Sequence, residues 1–366
     1  MDEIFMSRAL ELAKKGEGYV NPNPLVGAVI VKNGKVIGEG YHKIFGKEHA
    51  EINAINNTNE DLAGAIMYVT LEPCCHYGKT PPCVEAIKRH KIKKVVVGTL
   101  DFNPLVKGKG VKFLKEEGVE VVVGVLEEKC QRLNEIFNHY IINKQPFIAL
   151  KWAMTIDGKI ATAKHKSRWI TNEKSREFVH SLRKKYKGIM VGINTILKDN
   201  PDLRYRGDDI NEYLSNHFRV VLDSSLKIPI ESLVLKNQSS SKTLIFTTRL
   251  ADKNKKIVLK SNGIEVIEVN DKNGQVNLKE VMKKLGERNV DSILVEGGGN
   301  LNYSFLEEGL VNKVYTFIAP KIFGGEKALT PVEGLGIKEV KESYNLKFQE
   351  IRSFNEDLLV IGNFIG

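Results

Sequence analysis

Apolar runs of strand length alternate along this chain with stretches that repeat at helical period. The opening, MDEIFMSRALELAKKG, has the spacing of an amphipathic helix. LVGAVIV and KVIGEGY then flank Asn33-Gly34, a strong hairpin signal. A short helix is expected after His49, a strand at AIMYVTL and a helix from PPCVEAIKRH. A strand at KKVVVGTL, a helix at GVKFLKEEG and a strand at VEVVVGVL follow, and residues 127–143 read as one closing helix. Apolar strands alternating with helices imply a sheet covered on both faces.

NKQPF at 143–147 reads as a junction, because Pro146 stops the helix. We therefore expect two α/β domains, 1–144 and 145–366. Beyond the junction the pattern restarts with FIALKWAM and GKIAT. A helix is expected from Asn172 to Tyr186, then strands at GIMVG, RVVLD, TLIFTT, IEVIEV, SILVEGG and KVYTFIAP. Helices fall near 277–287 and after SILVEGG, and the tail reads as a hairpin.

Charge narrows the possible partners. The net charge is +10, but the lysines are spread along the chain instead of gathered in one block. Such a charge is compatible with nucleic acid, a small anionic ligand or only a lysine-rich surface, and the spread of the lysines counts against the first. No apolar run approaches membrane-spanning length, and the acidic opening is unlike a signal peptide. We expect a cytoplasmic protein. Three of the four cysteines lie between positions 74 and 83, which in a reducing compartment suggests metal before disulfide.

The candidate chemistry follows from that cluster. Cys74 should lie at a strand end, and Thr80-Pro81-Pro82 reads as a helix start with Thr80 as cap, placing Cys83 in the first turn. His49, also at a helix start, can supply a third ligand. A His/Cys/Cys set leaves one tetrahedral position open, the mark of a catalytic zinc. Glu51, two residues from His49, is suited to moving protons. His49-Ala50-Glu51 and Pro73-Cys74 match the zinc deaminase pattern, except that eight residues instead of two separate Cys74 from Cys83. Cys75 is the rival ligand; Cys74 is preferred because it directly follows the proline. Cys130 reads as a buried apolar residue. The backbone amides of DFNPLVKGKG could cradle a phosphate. In the second half, SILVEGGGNLNYSFL is a strand, a glycine run and a helix start, which favours phosphate without matching the dinucleotide fingerprint.

NPNPLVGAVIV, HAE, LEPCCHYGKTPPC and NPLVKGKG resemble the pyrimidine deaminase of riboflavin biosynthesis. KWAMTIDGKIAT, SRWIT, VGINTILKDNPDLRYR and EGGGNLN resemble the reductase which that family carries on the same chain. The resemblance implies a cytidine-deaminase-like α/β/α sandwich followed by a dihydrofolate-reductase-like α/β domain. It implies Zn2+ on His49, Cys74 and Cys83, with Glu51 as proton shuttle. Asn23, His42, His76 and Lys79 become candidates for the first substrate, Asn23 through its amide and His76 and Lys79 as positive donors. NADPH would meet Ala153, Trp169, Thr195, Asp199, Gly298, Gly299 and Asn300. Lys151, Ser167, Arg183, Leu203, Arg206 and Glu296 match substrate positions, with the two arginines suited to a ribose phosphate. The implied activity is deamination of a diaminopyrimidine ribosyl phosphate, then reduction of its ribosyl chain to ribityl. Small phosphorylated pyrimidines are the expected partners, with no nucleic acid and no membrane, and the chain is expected to form a homo-oligomer.

Overall fold

The computed structural model describes residues 1–77, 81–207 and 217–365, and the chain divides into two units, Met1–Lys144 and Gln145–Gly366. The first unit runs α1 (Asp2–Lys14), β1 (Gly27–Lys32), β2 (Lys35–Tyr41), α2 (Ala50–Asn56), β3 (Ile66–Leu71), α3 (Cys83–Arg89), β4 (Lys94–Thr99), α4 (Lys109–Glu116), β5 (Glu120–Val123), α5 (Glu127–Leu133) and α6 (Glu135–Asn143). Its sheet has the order β2-β1-β3-β4-β5. β1 is antiparallel to both neighbours, while β3, β4 and β5 are parallel. The hairpin at Asn33-Gly34 forms as expected, with positive φ at both residues. Alternation along each strand feeds two cores. Ile30, Met67 and Val95 pack with Ala54, Ile87 and Leu114 on one face. Val29, Tyr68 and Val96 pack with Met6, Leu10 and Cys130 on the other.

Residues 127–143 form two helices, not one. Asn134 breaks the run because its side chain pairs with the backbone of Leu25, accepting from the amide at 2.8 Å and donating to the carbonyl at 2.9 Å. α3 begins at Cys83 directly after Pro82, and Thr80, the expected cap, lies outside the described residues.

The second unit runs β6 (Phe147–Thr155), α7 (Glu173–Lys185), β7 (Gly188–Gly192), α8 (Ile193–Asp199), β8 (Phe218–Leu222), β9 (Lys242–Thr247), α9 (Lys253–Ser261), β10 (Glu265–Glu268), β11 (Asp271–Lys272), β12 (Gln275–Val276), α10 (Leu278–Gly286), β13 (Ser292–Val295), α11 (Gly299–Glu307), β14 (Lys313–Ala319), β15 (Leu346–Phe354) and β16 (Asp357–Phe364). One sheet holds nine strands in the order β10-β9-β8-β7-β13-β6-β14-β16-β15. It is parallel from β10 to β14 and closes with the antiparallel tail hairpin. GKIAT is not a strand. The Thr155 amide donates to the Lys159 carbonyl at 2.9 Å, turning the chain at Asp157-Gly158. α8 and α9 were not foreseen from the hydrophobic pattern. Among the described residues no helix is long and apolar enough to cross a membrane.

Candidate active sites

In the first unit, α2 lies hard against β2. A Cβ on Gly40 would strike the backbone of Ala50 and Ala54, so only glycine lets the helix sit this low. That fixes His49, the residue capping α2, and Glu51 in its first turn. Cys74 follows the end of β3 and Cys83 opens α3. The Nδ1 of His49 lies 3.4 Å from Cys74 Sγ and 3.3 Å from Cys83 Sγ. The Cys83 amide points at Cys74 Sγ at 3.3 Å.

The residues fit zinc. Zinc–nitrogen and zinc–sulfur bonds of about 2.0 and 2.3 Å give a tetrahedral N···S edge of roughly 3.5 Å. Both His49–cysteine separations are close to that edge, and the donor set is one that zinc prefers. Among the described residues this is the one His/Cys/Asp/Glu group with metal-holding geometry. Cys75 instead packs against the apolar cluster of that unit, which removes it as a rival. Cys130 is buried as expected.

Glu51 is 3% exposed. Burial pushes its carboxyl up to about 7, with Cys74 adding to the effect and His49 opposing it. A carboxyl poised there can both take and give a proton near neutral pH. The Cys74 thiol is pulled down by Cys83 and His49 toward the thiolate, the form that binds metal.

Asn23 and His42 come together beside this centre. Asn23 Nδ2 donates to His42 Nε2 at 3.2 Å, which leaves His42 Nδ1 to donate to the Glu48 carbonyl at 3.0 Å. The His42 ring meets the His49 ring edge-on at 5.6 Å and is 3% exposed, so His42 is not a surface residue. His76 is exposed, and Lys79 lies outside the described residues. The reading of DFNPLVKGKG as a phosphate cradle is corrected: four amides of residues 101–111 are already spent on the Glu72 carboxylate, an internal anion.

In the second unit, two adjoining cavities of about 300 and 550 Å³ share Ile160, Ser167, Thr195, Asp199, Glu296 and Gly297. The smaller one is lined by Lys151, Ala153, Trp169, Arg183 and Leu203. The larger one is lined by Gly298, Gly299 and Asn300, where α11 begins. Amides at such a helix start suit a phosphate. Arg183 grips Glu296 with Nε at 2.7 Å and Nη2 at 3.0 Å, and Lys151 Nζ stands 3.8 Å from the same carboxylate. Arg206 does not line either cavity; its guanidinium bonds Asp202 at 2.8 Å. Sequence reasoning missed Ser224, Ser225 and Lys227, which line the larger cavity just past β8. Their signal was the end of the RVVLD strand, where parallel sheets place ligands.

Burial would push Glu296 up, but Arg183 and Lys151 overcome it and hold its carboxyl at about 2. Its unfolded value is near 4.5. A lowered folded value stabilises above the unfolded one, so this contribution is present above pH 4.5 and fades as pH falls toward 2. The shift corresponds to about 3 kcal/mol. Denaturant midpoints of the second unit should therefore drop between pH 5 and 3, and Glu296→Gln should flatten that slope. An unchanged slope in the variant would contradict the pairing.

Residues 1–99 match the cytidine and deoxycytidylate deaminase zinc-binding region, and residues 146–360 match the RibD C-terminal domain. Fold and site thus define a zinc-dependent deaminase and a reductase on one chain. The chain is 46% identical to a riboflavin biosynthesis protein RibD of Actinobacillus pleuropneumoniae, over 98% of this chain and 94% of that one. It is 44% identical to the protein of that name from Aquifex aeolicus, over 98% of each. Among solved structures, Acinetobacter baumannii RibD is 33% identical with a TM-score of 0.88, over 100% of this chain and 99% of that one. A Thermotoga maritima deaminase/reductase is 39% identical with a TM-score of 0.85 over the same shares. The chain belongs to the RibD family, the bifunctional deaminases and reductases of riboflavin biosynthesis.

Proposed function

We propose that Met1–Lys144 deaminates a diaminopyrimidine ribosyl phosphate and that Gln145–Gly366 then reduces the ribosyl chain of the product with NADPH. The observation that carries this reading is Glu51, buried beside three side chains whose ligand atoms all lie within 4.8 Å of one another. When held by His49, Cys74 and Cys83, zinc supplies Lewis-acid activation of water. Glu51 takes the two protons of that water in turn and gives one to the ring nitrogen and the other to the departing ammonia. His42, kept neutral by burial, which outweighs its hydrogen bond to the Glu48 carbonyl, and paired with Asn23, orients the pyrimidine edge. In the second unit Glu296, fixed by Arg183 and Lys151, orients the sugar hydroxyls, and the glycines before α11 receive the cofactor phosphates. Hydride comes from the cofactor, so the chain's task is alignment.

All four cysteines are free, and zinc ligation needs Cys74 and Cys83 reduced, which supports a cytoplasmic setting. A homo-oligomer is supported by β15, an edge strand with Phe348 64% and Ile351 63% exposed; light-scattering mass tests it.

The experiment follows ammonia and NADPH in turn on zinc-loaded protein. Ammonia should appear without NADPH, and NADPH should be consumed only after deamination. Stripping zinc with a chelator should stop ammonia release and leave reduction of pre-deaminated substrate intact. Loss of both activities on chelation would contradict two separate chemistries.

A further inference from the structure

Glu72 follows β3 directly and stands two residues before Cys74. It is 4% exposed, yet its partners are backbone amides. One carboxylate oxygen accepts from Asp101 at 3.2 Å and Gly108 at 2.9 Å; the other accepts from Gly110 at 2.9 Å and Val111 at 3.1 Å. Gly110 and Val111 lie in the first turn of α4, whose positive end favours an anion. The backbone is drawn in as well. The Glu72 amide donates to the Thr99 carbonyl at 3.0 Å, and a Cβ on Gly110 would strike the carbonyl oxygen of Pro73. Three parts of the chain therefore meet on one side chain: the strand end that carries Cys74, the loop after β4, and the start of α4. The loop borders the ligand set, since Asp101 within it feels the charges of Cys74 and His76.

We propose that Glu72 is a positioning residue for deamination, which locks Cys74 to the loop 101–108 and the start of α4 so that ligand and pocket wall keep one geometry. Glutamine at this position keeps the shape but not the chemistry. One end of its amide is a donor, and it would face two N–H donors that have no other acceptor among the described residues. A displacement of about 1 Å in catalytic machinery costs on the order of 10²-fold in rate.

This inference rests on zinc being held at Cys74, so the test begins with the full-length wild type loaded with Co(II) in place of zinc. Wild type that binds no cobalt would overturn that reading and this inference together. Glu72→Gln should bind one cobalt per chain with an altered thiolate-to-cobalt absorption. Its kcat for deamination should fall about 100-fold, with reduction unchanged as the internal control. A cobalt-loaded variant with the wild-type spectrum and wild-type kcat overturns the inference and leaves the zinc reading standing. If Glu72→Gln does not fold its first unit, Glu72→Asp decides. It keeps the charge but falls one methylene short, and a shifted spectrum with lowered kcat supports the role. A wild-type spectrum and kcat in Glu72→Asp, or failure of both variants to fold, assigns Glu72 to folding alone and overturns it.

Discussion

Glu51→Gln is expected to lower deamination about 10³-fold while zinc stays bound and reduction proceeds at the wild-type rate. The magnitude is that of a general acid–base group removed from its reaction. Glutamine fills the same buried space beside His49, so packing is preserved and the loss is confined to proton transfer. The carboxyl is needed twice, once to accept and once to deliver, and an amide does neither. Metal content should hold because the substitution leaves in place the proposed ligands His49, Cys74 and Cys83, whose ligand atoms lie within 4.8 Å of one another. Ammonia release, zinc stoichiometry and NADPH consumption on pre-deaminated substrate measure the three quantities separately. Deamination that survives in a zinc-loaded variant would sink the shuttle role.

Arg183→Ala is expected to reduce kcat/KM for reduction about 10²- to 10³-fold and to leave deamination untouched. Arg183 supplies two parallel hydrogen bonds to Glu296, and both side chains are largely buried, 18% and 10% exposed. Removing one member of such a pair leaves a carboxylate short of its partner, at a cost of about 3–5 kcal/mol when fully buried. Lys151, 3.8 Å away, is a point charge and does not replace the fork. For the same reason Arg183→Lys should recover little. The two activities sit in separate units, so equal loss of both would count against this assignment.

Much of the deaminase centre was legible beforehand because metal ligation depends on residue type. Histidine and cysteine at the starts and ends of elements leave local marks: the proline before Cys74, the prolines before Cys83, and a helix beginning at His49. Cys75 could be set aside only after folding, when it turned to the apolar cluster. Strand runs and the Asn33-Gly34 turn were equally readable, since both follow from side-chain alternation and backbone preference within a few residues.

Other features depend on pairs far apart in the chain. Arg183 and Glu296 are separated by 113 residues, and nothing local to either names the other. Arg206 is the opposite case: its partner Asp202 is only four residues away, and what the fold decided is that neither residue lines a cavity. DFNPLVKGKG shows the difference clearly. Its glycines and free amides announce an anion cradle, and the sequence alone leaves open which anion. The fold answers with Glu72, 36 residues before Gly108, because parallel β3 and β4 lay the two strand ends side by side. By itself the sequence determined the ligand chemistry, the two α/β units and the family resemblance, all of which act through residue type and short-range spacing. Tertiary structure decided which carboxylate meets which cation or amide, because sheet order and not chain distance sets those neighbours.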